Sequence, residues 1–433
     1  MSNTATALPH MQARGGVMAW WVWALVVVFV VYLFSFQTGY SVVNSKVQGD
    51  ISLSVAQVGT IAAIYTWVFA ICQFFGGALL DKLGSRRVLP ISIAIVTVGI
   101  FVFANAQTYS MLLLSQVIVA IGSCTGFVGA GYIGGQWFGM AKFSFMFGLV
   151  QLVASLTSAF SQNLIGLALG SVTWRTLFNA TAVFGIALFA LGAIYIHNPT
   201  PVIIDERLSV RSFFASVLRS MADVAKVGHV WIASLNGAFT FGTLLALGVV
   251  WAPKLLRVHG MSEASANFGA SMLWLGLACG SAFIPHWSDV LRRRKLPIMV
   301  GTAVQFVVLL GLLYIPGLGS LVAMALCFVF GFANAAHMLA FSTAADVVQP
   351  TQIGTSAAIV NGIMFILGGI LISRPGERIQ MGVDSGIQPA SLDIAQYAAW
   401  PLVVALALAL VLAFVMKETY PGTHGNEHAG AGG

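Results

Sequence analysis

The chain has 433 residues, of which 58% are hydrophobic and only 8% are charged. A soluble domain carries roughly 25% charged residues, and the 20 basic and 13 acidic side chains found here are too few to cover a soluble protein of this length. Composition therefore excludes a soluble enzyme and indicates a membrane protein. The net charge of +7 is spread over short basic groups between apolar runs, which indicates topology signals rather than a nucleic-acid site.

Twelve apolar stretches follow one another along the chain. Each is long enough to cross a bilayer, because about 20 helical residues span roughly 30 Å of hydrocarbon. The sequence therefore predicts an all-α membrane protein with twelve transmembrane helices. The predicted spans are 19–41, 57–80, 88–106, 111–134, 145–169, 176–195, 230–252, 264–284, 297–314, 321–345, 354–372 and 397–416.

These spans divide the chain into five predicted regions. A cytoplasmic N-terminus (1–18) precedes a six-helix bundle (19–196), a cytoplasmic linker (197–229), a second six-helix bundle (230–416) and a disordered cytoplasmic tail (417–433). An even number of spans places both termini and the linker on one side. Fourteen of the 20 Lys and Arg residues fall on that side, so the positive-inside rule predicts cytoplasmic termini in a bacterial-type inner membrane.

An internal repeat relates the two bundles. The connection after the second span, residues 76–87, reads GGALLDKLGSRR, and the connection after the eighth span, residues 284–295, reads IPHWSDVLRRRK. An offset of 208 residues (289 minus 81) places Asp289 on Asp81 and Arg294 on Arg86. The chain is therefore predicted to contain two pseudo-symmetric six-helix halves.

The first of these connections carries a family resemblance. Its pattern Gly-x-x-x-Asp-Lys-x-Gly-x-Arg-Arg, residues 77–87, resembles the signature loop of the major facilitator superfamily. The resemblance covers nearly the whole chain, with twelve spans, a six-plus-six division and a degenerate second copy of the loop. It implies alternating-access transport, in which two bundles rock around a central cavity.

Other segments narrow this resemblance without fixing a substrate. Residues 127–138 and 354–361 more distantly resemble bacterial small-metabolite uptake permeases, including the phagosomal amino-acid and nucleoside transporters. Gln116 occupies the place of the fourth-span arginine associated with proton-coupled members, which argues against that form of coupling. Span five lacks the Gly-Pro signature of drug antiporters, which argues against drug export as the function.

The two aspartates of the repeat lie at the cytoplasmic ends of spans two and eight, where each could face the N-terminus of a helix from the opposite half. By pseudo-symmetry these helices would be spans eleven and five, whose dipoles favour a carboxylate. Contacts made only when the cytoplasmic side is closed would form a gate, whereas the alternative is a solvated charge that sets topology. The predicted gating residues are Gly77, Asp81, Gly84, Arg86, Arg87, Asp289 and Arg294.

Polar and aromatic side chains recur inside the spans. Gln151 and Ser155 are four residues apart in span five and share one helical face, as do Asn236 and Thr240 in span seven. Such a face lines a wet cavity or makes hydrogen bonds between helices, and the pattern leaves both open. Mid-membrane aromatic residues could wall a site or only fill space. The predicted cavity residues are Tyr32, Tyr65, Trp67, Gln151, Ser155, Asn236, Thr240, Trp274, Asn334 and Asn361.

Charged residues are missing from the middle of the predicted spans. Their absence disfavours a dianion site with paired basic residues and a carboxylate proton relay. His337, well inside span ten, is placed for proton coupling, and a neutral structural histidine is the alternative. Because the sequence has no P-loop and no His/Cys cluster with metal-ligand spacing, no cofactor or metal is predicted and a proton gradient is the candidate driving force.

The sequence thus predicts a secondary transporter and not an enzyme, since no span carries a nucleophile with a base and an orienting partner. An uncharged cavity favours uptake of a small polar solute, neutral or zwitterionic and of amino-acid or nucleoside size. A small organic monoanion, carboxylate or sulfonate, is the alternative cargo, and a non-transporting membrane sensor is the rival class. The predicted partners are the substrate and the bilayer, without nucleic acid, and the chain is predicted to act as a monomer.

Overall fold

The computed structural model describes residues 15–53, 55–199, 210–388 and 391–421. The N-terminal 14 residues, residues 200–209 of the predicted linker and the tail from residue 422 lie outside this part of the chain. The described residues are mostly helical and contain no strand. The helices are α1 (Val17–Ile51), α2 (Val55–Leu83), α3 (Ser85–Ala104), α4 (Tyr109–Ser123), α5 (Gly126–Phe138), α6 (Phe143–Ala168), α7 (Trp174–Tyr195), α8 (Val210–Ala225), α9 (Gly228–Ala246), α10 (Ala252–Val258), α11 (Glu263–Leu291), α12 (Lys295–Tyr314), α13 (Ser320–Asn334), α14 (Leu339–Ala345), α15 (Ile353–Asp384) and α16 (Leu392–Val415).

Eleven helical segments of the described residues are long and apolar enough to cross a membrane. They correspond to eleven of the predicted spans and confirm the all-α membrane fold. The seventh predicted span corresponds to α9 and α10, which a π-helical turn at Leu247–Trp251 joins, and it is not among the eleven. The count of twelve crossings stays a prediction.

Two spans that the sequence predicts as continuous helices are interrupted. Span four breaks at Cys124 and Thr125, where the Thr125 hydroxyl donates to the Ser92 hydroxyl of α3 at 2.7 Å. Span ten breaks at a 3₁₀ turn, Ala335–Met338, between α13 and α14. Short 3₁₀ and π-helical turns often mark functional positions in a helix, and the turn in span ten contains His337.

The linker between the halves contains a helix, α8, that the sequence analysis does not predict. It is amphipathic, with Phe214 and Leu218 exposed at 52% and 53% and with Arg211 nearby. It packs against both α2 and α15. The linker is therefore more than a charged tether, because its helix contacts both halves of the protein.

Two pairs of helices form the main contact between the halves. α2 packs along α15, and α6 packs along α11. We call the end of the molecule that carries the α2–α3 connection around Gly84 and the α11–α12 connection around Arg292 the gate face. Both helix pairs reach this face, so the two halves are in contact there.

Candidate functional site

Asp81 joins the two halves at the gate face. The backbone N–H groups of Gly354 and Thr355 donate to its carboxylate at 2.9 and 2.7 Å, and the Thr355 hydroxyl donates at 2.8 Å. Asp81 thereby caps the N-terminus of α15, the helix that pseudo-symmetry assigns to it. A carboxylate is favoured at this position because free N–H groups and the helix dipole are positive there.

Gly77 allows α2 and α15 to come this close. It lies one turn before Asp81, directly against the backbone of Gly354, and a Cβ added at Gly77 would overlap the Gly354 carbonyl. The linker helix contacts the same point, since the hydroxyls of Ser220 and Thr355 lie 3.3 Å apart. The contact between α2 and α15 is therefore tight and includes part of the linker.

The rest of the first predicted loop contacts the start of the linker. Gly84 has φ 76° and ψ 158°, a conformation that is essentially restricted to glycine, and it turns the chain from α2 into α3. The Ser85 hydroxyl and the Arg86 N–H donate to Asn198 Oδ1 at 2.6 and 3.2 Å. The side chains of Arg86 and Arg87 are exposed, and neither forms an ion pair within the described part of the chain.

Arg294 holds a buried charge cluster in the second half. Its side chain is fully buried and pairs with Asp289 at 2.5 Å and with Asp346 at 3.3 Å. The Arg294 guanidinium also lies over the ring of Tyr420, 4.7 Å from the centroid. Arg294 is thus the centre of a network within the second half, whereas Arg86, its counterpart in the repeat, is exposed.

The segment after α16 completes this cluster. Glu418 accepts the backbone N–H groups of Arg294 and Lys295 at 2.8 and 3.2 Å and so caps α12. The Thr419 hydroxyl donates to Asp346 at 3.2 Å. Burial raises the pKa of Asp346 to about 6, although the Arg294 guanidinium and the Thr419 hydroxyl act to lower it. Sequence reasoning places Asp346 only near a span end and does not include it or Glu418 in the gate.

Asp289 lies near the start of α6 but does not cap this helix as Asp81 caps α15. The backbone N–H of Phe145, near the start of α6, faces its carboxylate, but Oδ2 of Asp289 has no hydrogen-bond partner of full geometry. The two helices instead touch through Gly148, where an added Cβ would overlap the Ser281 carbonyl and press on Pro285. Asp289 is therefore held mainly by Arg294 in its own half.

A chain of aromatic rings crosses between the halves in the middle of the spans. Tyr65 and Phe69 of α2 stack at 5.7 Å, and Phe69 meets Phe365 of α15 edge-on at 5.1 Å. Phe365 contacts Phe241 of α9 at 6.2 Å, and Phe241 stacks on His337 at 4.6 Å. His337 lies nine residues before Asp346, which is about 13 Å from the gate face at the helical rise.

Hydrogen bonding defines the tautomer of His337. The ring is 2% exposed, and Nδ1 lies 2.7 Å from the carbonyl of Asn334. Because a carbonyl only accepts, Nδ1 carries the proton in the neutral ring and Nε2 is the acceptor. Proton uptake at His337 would therefore occur at Nε2 and turn that atom into a donor.

Several buried amides face the contact between the halves. Gln151 and Ser155 lie on the side of α6 that carries Gly148, and Gln151 donates to Ser155 at 3.0 Å. Gln73 lies one turn before Gly77 on α2 and is fully buried, with both amide atoms unpartnered. Nδ2 of Asn361, two turns after Gly354 on α15, is also buried and unpartnered. Buried polar atoms usually have partners, so these are groups that a solute or water could satisfy.

The remaining predicted cavity residues on α1 and in the second half lie away from this contact. Tyr32 packs against Gly185 of α7, and Asn236 donates to the carbonyl of Ala409 in α16 at 2.8 Å. Asn334 donates to the carbonyl of Thr240 and to Gln305 of α12, at 2.8 and 2.9 Å. These contacts match the alternative left open by the sequence, in which polar side chains connect helices within one half.

The two predicted tryptophans differ in environment. Trp274 packs against Gly248 in the π-helical turn and donates to its carbonyl at 3.3 Å. Trp67 is 63% exposed on α2, and Ile71, one turn later, is 59% exposed. Neither is part of the ring chain. The sequence does not predict Phe69, Phe365 and Phe241 as cavity residues, because an apolar aromatic residue inside a span can equally line a cavity or face the lipid.

Comparison with known proteins decides the family. A family model described as Major Facilitator Superfamily matches residues 15–373. The chain belongs to this superfamily. It is therefore a multi-pass membrane transporter and not an enzyme, as the signature loop and the six-plus-six division predicted.

Curated superfamily relatives share about a fifth of their residues with this chain. "Uncharacterized transporter YybO" of Bacillus subtilis is 22% identical over 390 residues, covering 83% of this chain and 86% of the relative. "Probable galactarate/D-glucarate transporter GarP" of Escherichia coli K12 is 23% identical over 325 residues, covering 66% and 72%. "Hexuronate transporter" of Bacillus subtilis is 21% identical over 251 residues, covering 56% and 59%.

Solved superfamily structures share the fold. A bacterial homologue of the human lysosomal transporter Spinster, in an inward-facing and unoccupied conformation, superposes with a TM-score of 0.60 at 17% identity and covers 93% of this chain and 97% of the other. The Escherichia coli fucose:proton symporter FucP superposes with a TM-score of 0.61 at 16% identity, covering 91% and 98%. At these identities the likeness shows the fold alone.

Proposed function

We propose that this protein takes up a small organic anion, a carboxylate of the sugar-acid class, across the bacterial inner membrane by alternating access. The observation that carries the transport proposal is the contact of Asp81 with the N-terminus of α15. It joins the two halves at the gate face through three hydrogen bonds and a glycine contact. Such a contact can separate and re-form in each transport cycle.

The names of the relatives support the cargo class. Two of the three curated relatives above carry names that refer to galactarate, glucarate or hexuronate transport, which favours the organic-anion alternative over an amino-acid or nucleoside cargo. Sugar acids carry several hydroxyls beside the carboxylate. The unpartnered amides of Gln73 and Asn361 offer donors for such groups, and the rings of Phe69 and Phe365 offer apolar walls for the carbon chain.

Charge balance assigns His337 a place in this proposal. Among the described residues the one buried Lys or Arg is Arg294, which lies at the gate face and is matched by two aspartates. A carboxylate in the middle of the spans therefore lacks a fixed cation. Protonation of His337 at Nε2 would supply one, so that a monoanion such as a hexuronate crosses with one proton without net charge, whereas a dianion such as glucarate would need a second positive charge.

A neutral or zwitterionic solute is the second candidate, because the same absence of a fixed mid-span charge favours it. Counterflow into proteoliposomes separates the two. Proteoliposomes that contain the purified protein are loaded with one unlabelled solute and are then offered the same solute in radiolabelled form at pH 6 and pH 8. The solutes are glucarate, galactarate, galacturonate, amino acids and nucleosides. We expect saturable exchange of a carboxylate and its accumulation under an inward proton gradient.

His337→Gln tests the coupling step. The variant is expected to exchange the cargo but to lose accumulation driven by the proton gradient. His197→Gln is a matched control, since His197 is half-buried after the end of α7 and makes a similar bond from Nδ1 to the carbonyl of Tyr195 at 2.6 Å. Accumulation that persists in His337→Gln would remove His337 from the mechanism. Exchange of amino acids alone would replace the anion proposal, and ligand binding without flux would favour a sensor.

A further inference from the structure

A cleft of about 420 Å³ opens beside α12 at the gate face. It lies in the second half, and none of its lining residues takes part in the contact between α2 and α15. The lining residues are Arg293, Lys295, Leu296, Met299 and Glu418. Two of them are basic, two are apolar and one is acidic, so the cleft combines a charged end with an apolar wall.

The basic side chains of the cleft are not neutralised within the described part of the chain. Arg294, between them in sequence, is buried and paired with two aspartates. Arg293 is exposed and forms no ion pair there. Lys295 Nζ donates to the carbonyl of Phe414 at 2.7 Å, which uses one of its three N–H groups and leaves its charge without an acidic partner.

The acidic residue of the cleft is already engaged. Glu418 Oε1 accepts the N–H groups of Arg294, Thr419 and Tyr420 at 2.8, 3.0 and 3.0 Å, and Oε2 accepts that of Lys295 at 3.2 Å. Its charge therefore offsets the positive N-terminus of α12. The remaining positive charge in the cleft is that of Arg293 and Lys295.

The apolar wall of the cleft continues toward the lipid-facing surface. Leu296 is 38% exposed, and Val300, one turn further along α12, is 41% exposed. Phe414, near the end of α16, is 58% exposed beside Lys295. Basic groups at the membrane boundary followed by an exposed apolar strip match the order of groups in a phospholipid, from the phosphate to the acyl chain.

We propose that this cleft binds the phosphate of an anionic membrane phospholipid. Arg293 and Lys295 contact the phosphate, and Leu296 and Met299 contact the first carbons of an acyl chain. The bound lipid would rest against the loop that holds Arg294 and the segment that holds Glu418, so it would stabilise the charge cluster of the second half without taking part in transport itself.

The test is a lipid titration of the full-length protein in detergent, followed by native mass spectrometry. The probes are dioleoylphosphatidylglycerol, dioleoylphosphatidylcholine and inorganic phosphate. We expect tighter binding of the phosphatidylglycerol, and about 30-fold weaker binding in the Arg293→Gln/Lys295→Gln variant, because each basic residue near an anionic lipid surface strengthens binding by a factor of about five. The matched control is Arg86→Gln/Arg87→Gln, which removes two charges from the equivalent loop of the first half and is expected to bind normally.

A second variant keeps the charges and fills the apolar wall. Leu296→Trp is expected to weaken phosphatidylglycerol binding at least tenfold, and circular dichroism verifies that each variant is folded. Equal binding of the two lipids would overturn the proposal, as would normal binding by either cleft variant or an equal loss in the control. Competition by inorganic phosphate as strong as that by the lipid would identify a soluble-phosphate site and overturn the lipid assignment.

Discussion

The two places where the halves meet at the gate face are equivalent in the repeat but differ in construction. In the first, Asp81 of α2 makes three hydrogen bonds to the start of α15 across the boundary between the halves. In the second, Asp289 of α11 is paired with Arg294 in its own half and faces a single backbone N–H across the boundary, that of Phe145 in α6. One aspartate connects the halves, and the other stabilises a half.

This difference separates two tasks. In the proposed transport cycle, opening the gate face breaks the contact of Asp81 with α15, whereas the cluster of Arg294, Asp289 and Asp346 moves with the second half as a unit. The strength of the closed state is therefore expected to depend on α2 and α15, and the folding stability of the second half on Arg294. Variants in the two regions should affect different measurements.

The largest effect is expected from Arg294→Met. This change leaves Asp289 and Asp346 buried without a counter-charge, and breaking a buried pair in this way costs about 3 to 5 kcal/mol. SDS-induced unfolding followed by circular dichroism measures the loss. Arg87→Met is the matched control, because Arg87 is exposed in the equivalent loop, and it should change the free energy of unfolding by less than about 0.5 kcal/mol. An equal loss of unfolding free energy in the two variants would contradict the stabilising role of Arg294 in the second half.

Gly77→Val addresses the connecting contact. Its side chain would overlap the Gly354 backbone, so the closed state should be disfavoured by about 1 to 3 kcal/mol, or more than fivefold in population. The readout is the rate at which N-ethylmaleimide labels a Ser144→Cys variant whose four native cysteines are replaced by serine, since Ser144 faces Ser342 across the boundary at 2.5 Å and the native Cys279 is exposed. Gly369→Val is the control, because no atom lies within 4 Å of an added Cβ there. Labelling that does not increase in Gly77→Val would argue against a gate at this contact.

The parts of the fold and of the candidate site that the sequence predicts are those whose residues belong to a pattern along the chain. The spans, the repeat and the partner of Asp81 follow from hydropathy, an offset of 208 residues and pseudo-symmetry, which are all properties of the chain itself. The positions of Asn236 and Asn334 do not follow, because a polar side chain on a helix face can serve a cavity or a neighbouring helix. The burial of Asp346 depends on a tertiary contact with Arg294, and no local spacing encodes it.

The two aspartates should differ when each is changed to asparagine. Asp81→Asn removes the negative charge that accepts the hydrogen bonds from α15, and a hydrogen bond to a charged group contributes about 1.5 to 3 kcal/mol. The closed state should therefore be less populated, so that labelling of the Ser144→Cys variant rises about tenfold or more and counterflow falls. Asp289→Asn leaves Arg294 paired with Asp346 and weakens one contact across the boundary, to the backbone N–H of Phe145, so it should raise labelling less than about threefold. A larger effect from Asp289→Asn would mean that the second contact, and not the first, controls the gate.

The smallest expected effect concerns the turns after α2 and α11. Gly84 and Arg292 are equivalent under the 208-residue offset, and both have positive φ, 76° and 52°. An L-residue in the left-handed region is strained, so Arg292→Gly should raise the free energy of unfolding by about 0.5 to 1 kcal/mol, whereas Gly84→Ala should lower it. Arg292→Gln removes the charge but keeps the strain. If Arg292→Gln raises the free energy of unfolding as much as Arg292→Gly does, the native turn is destabilised by charge repulsion in the basic run 292–295 and not by backbone strain.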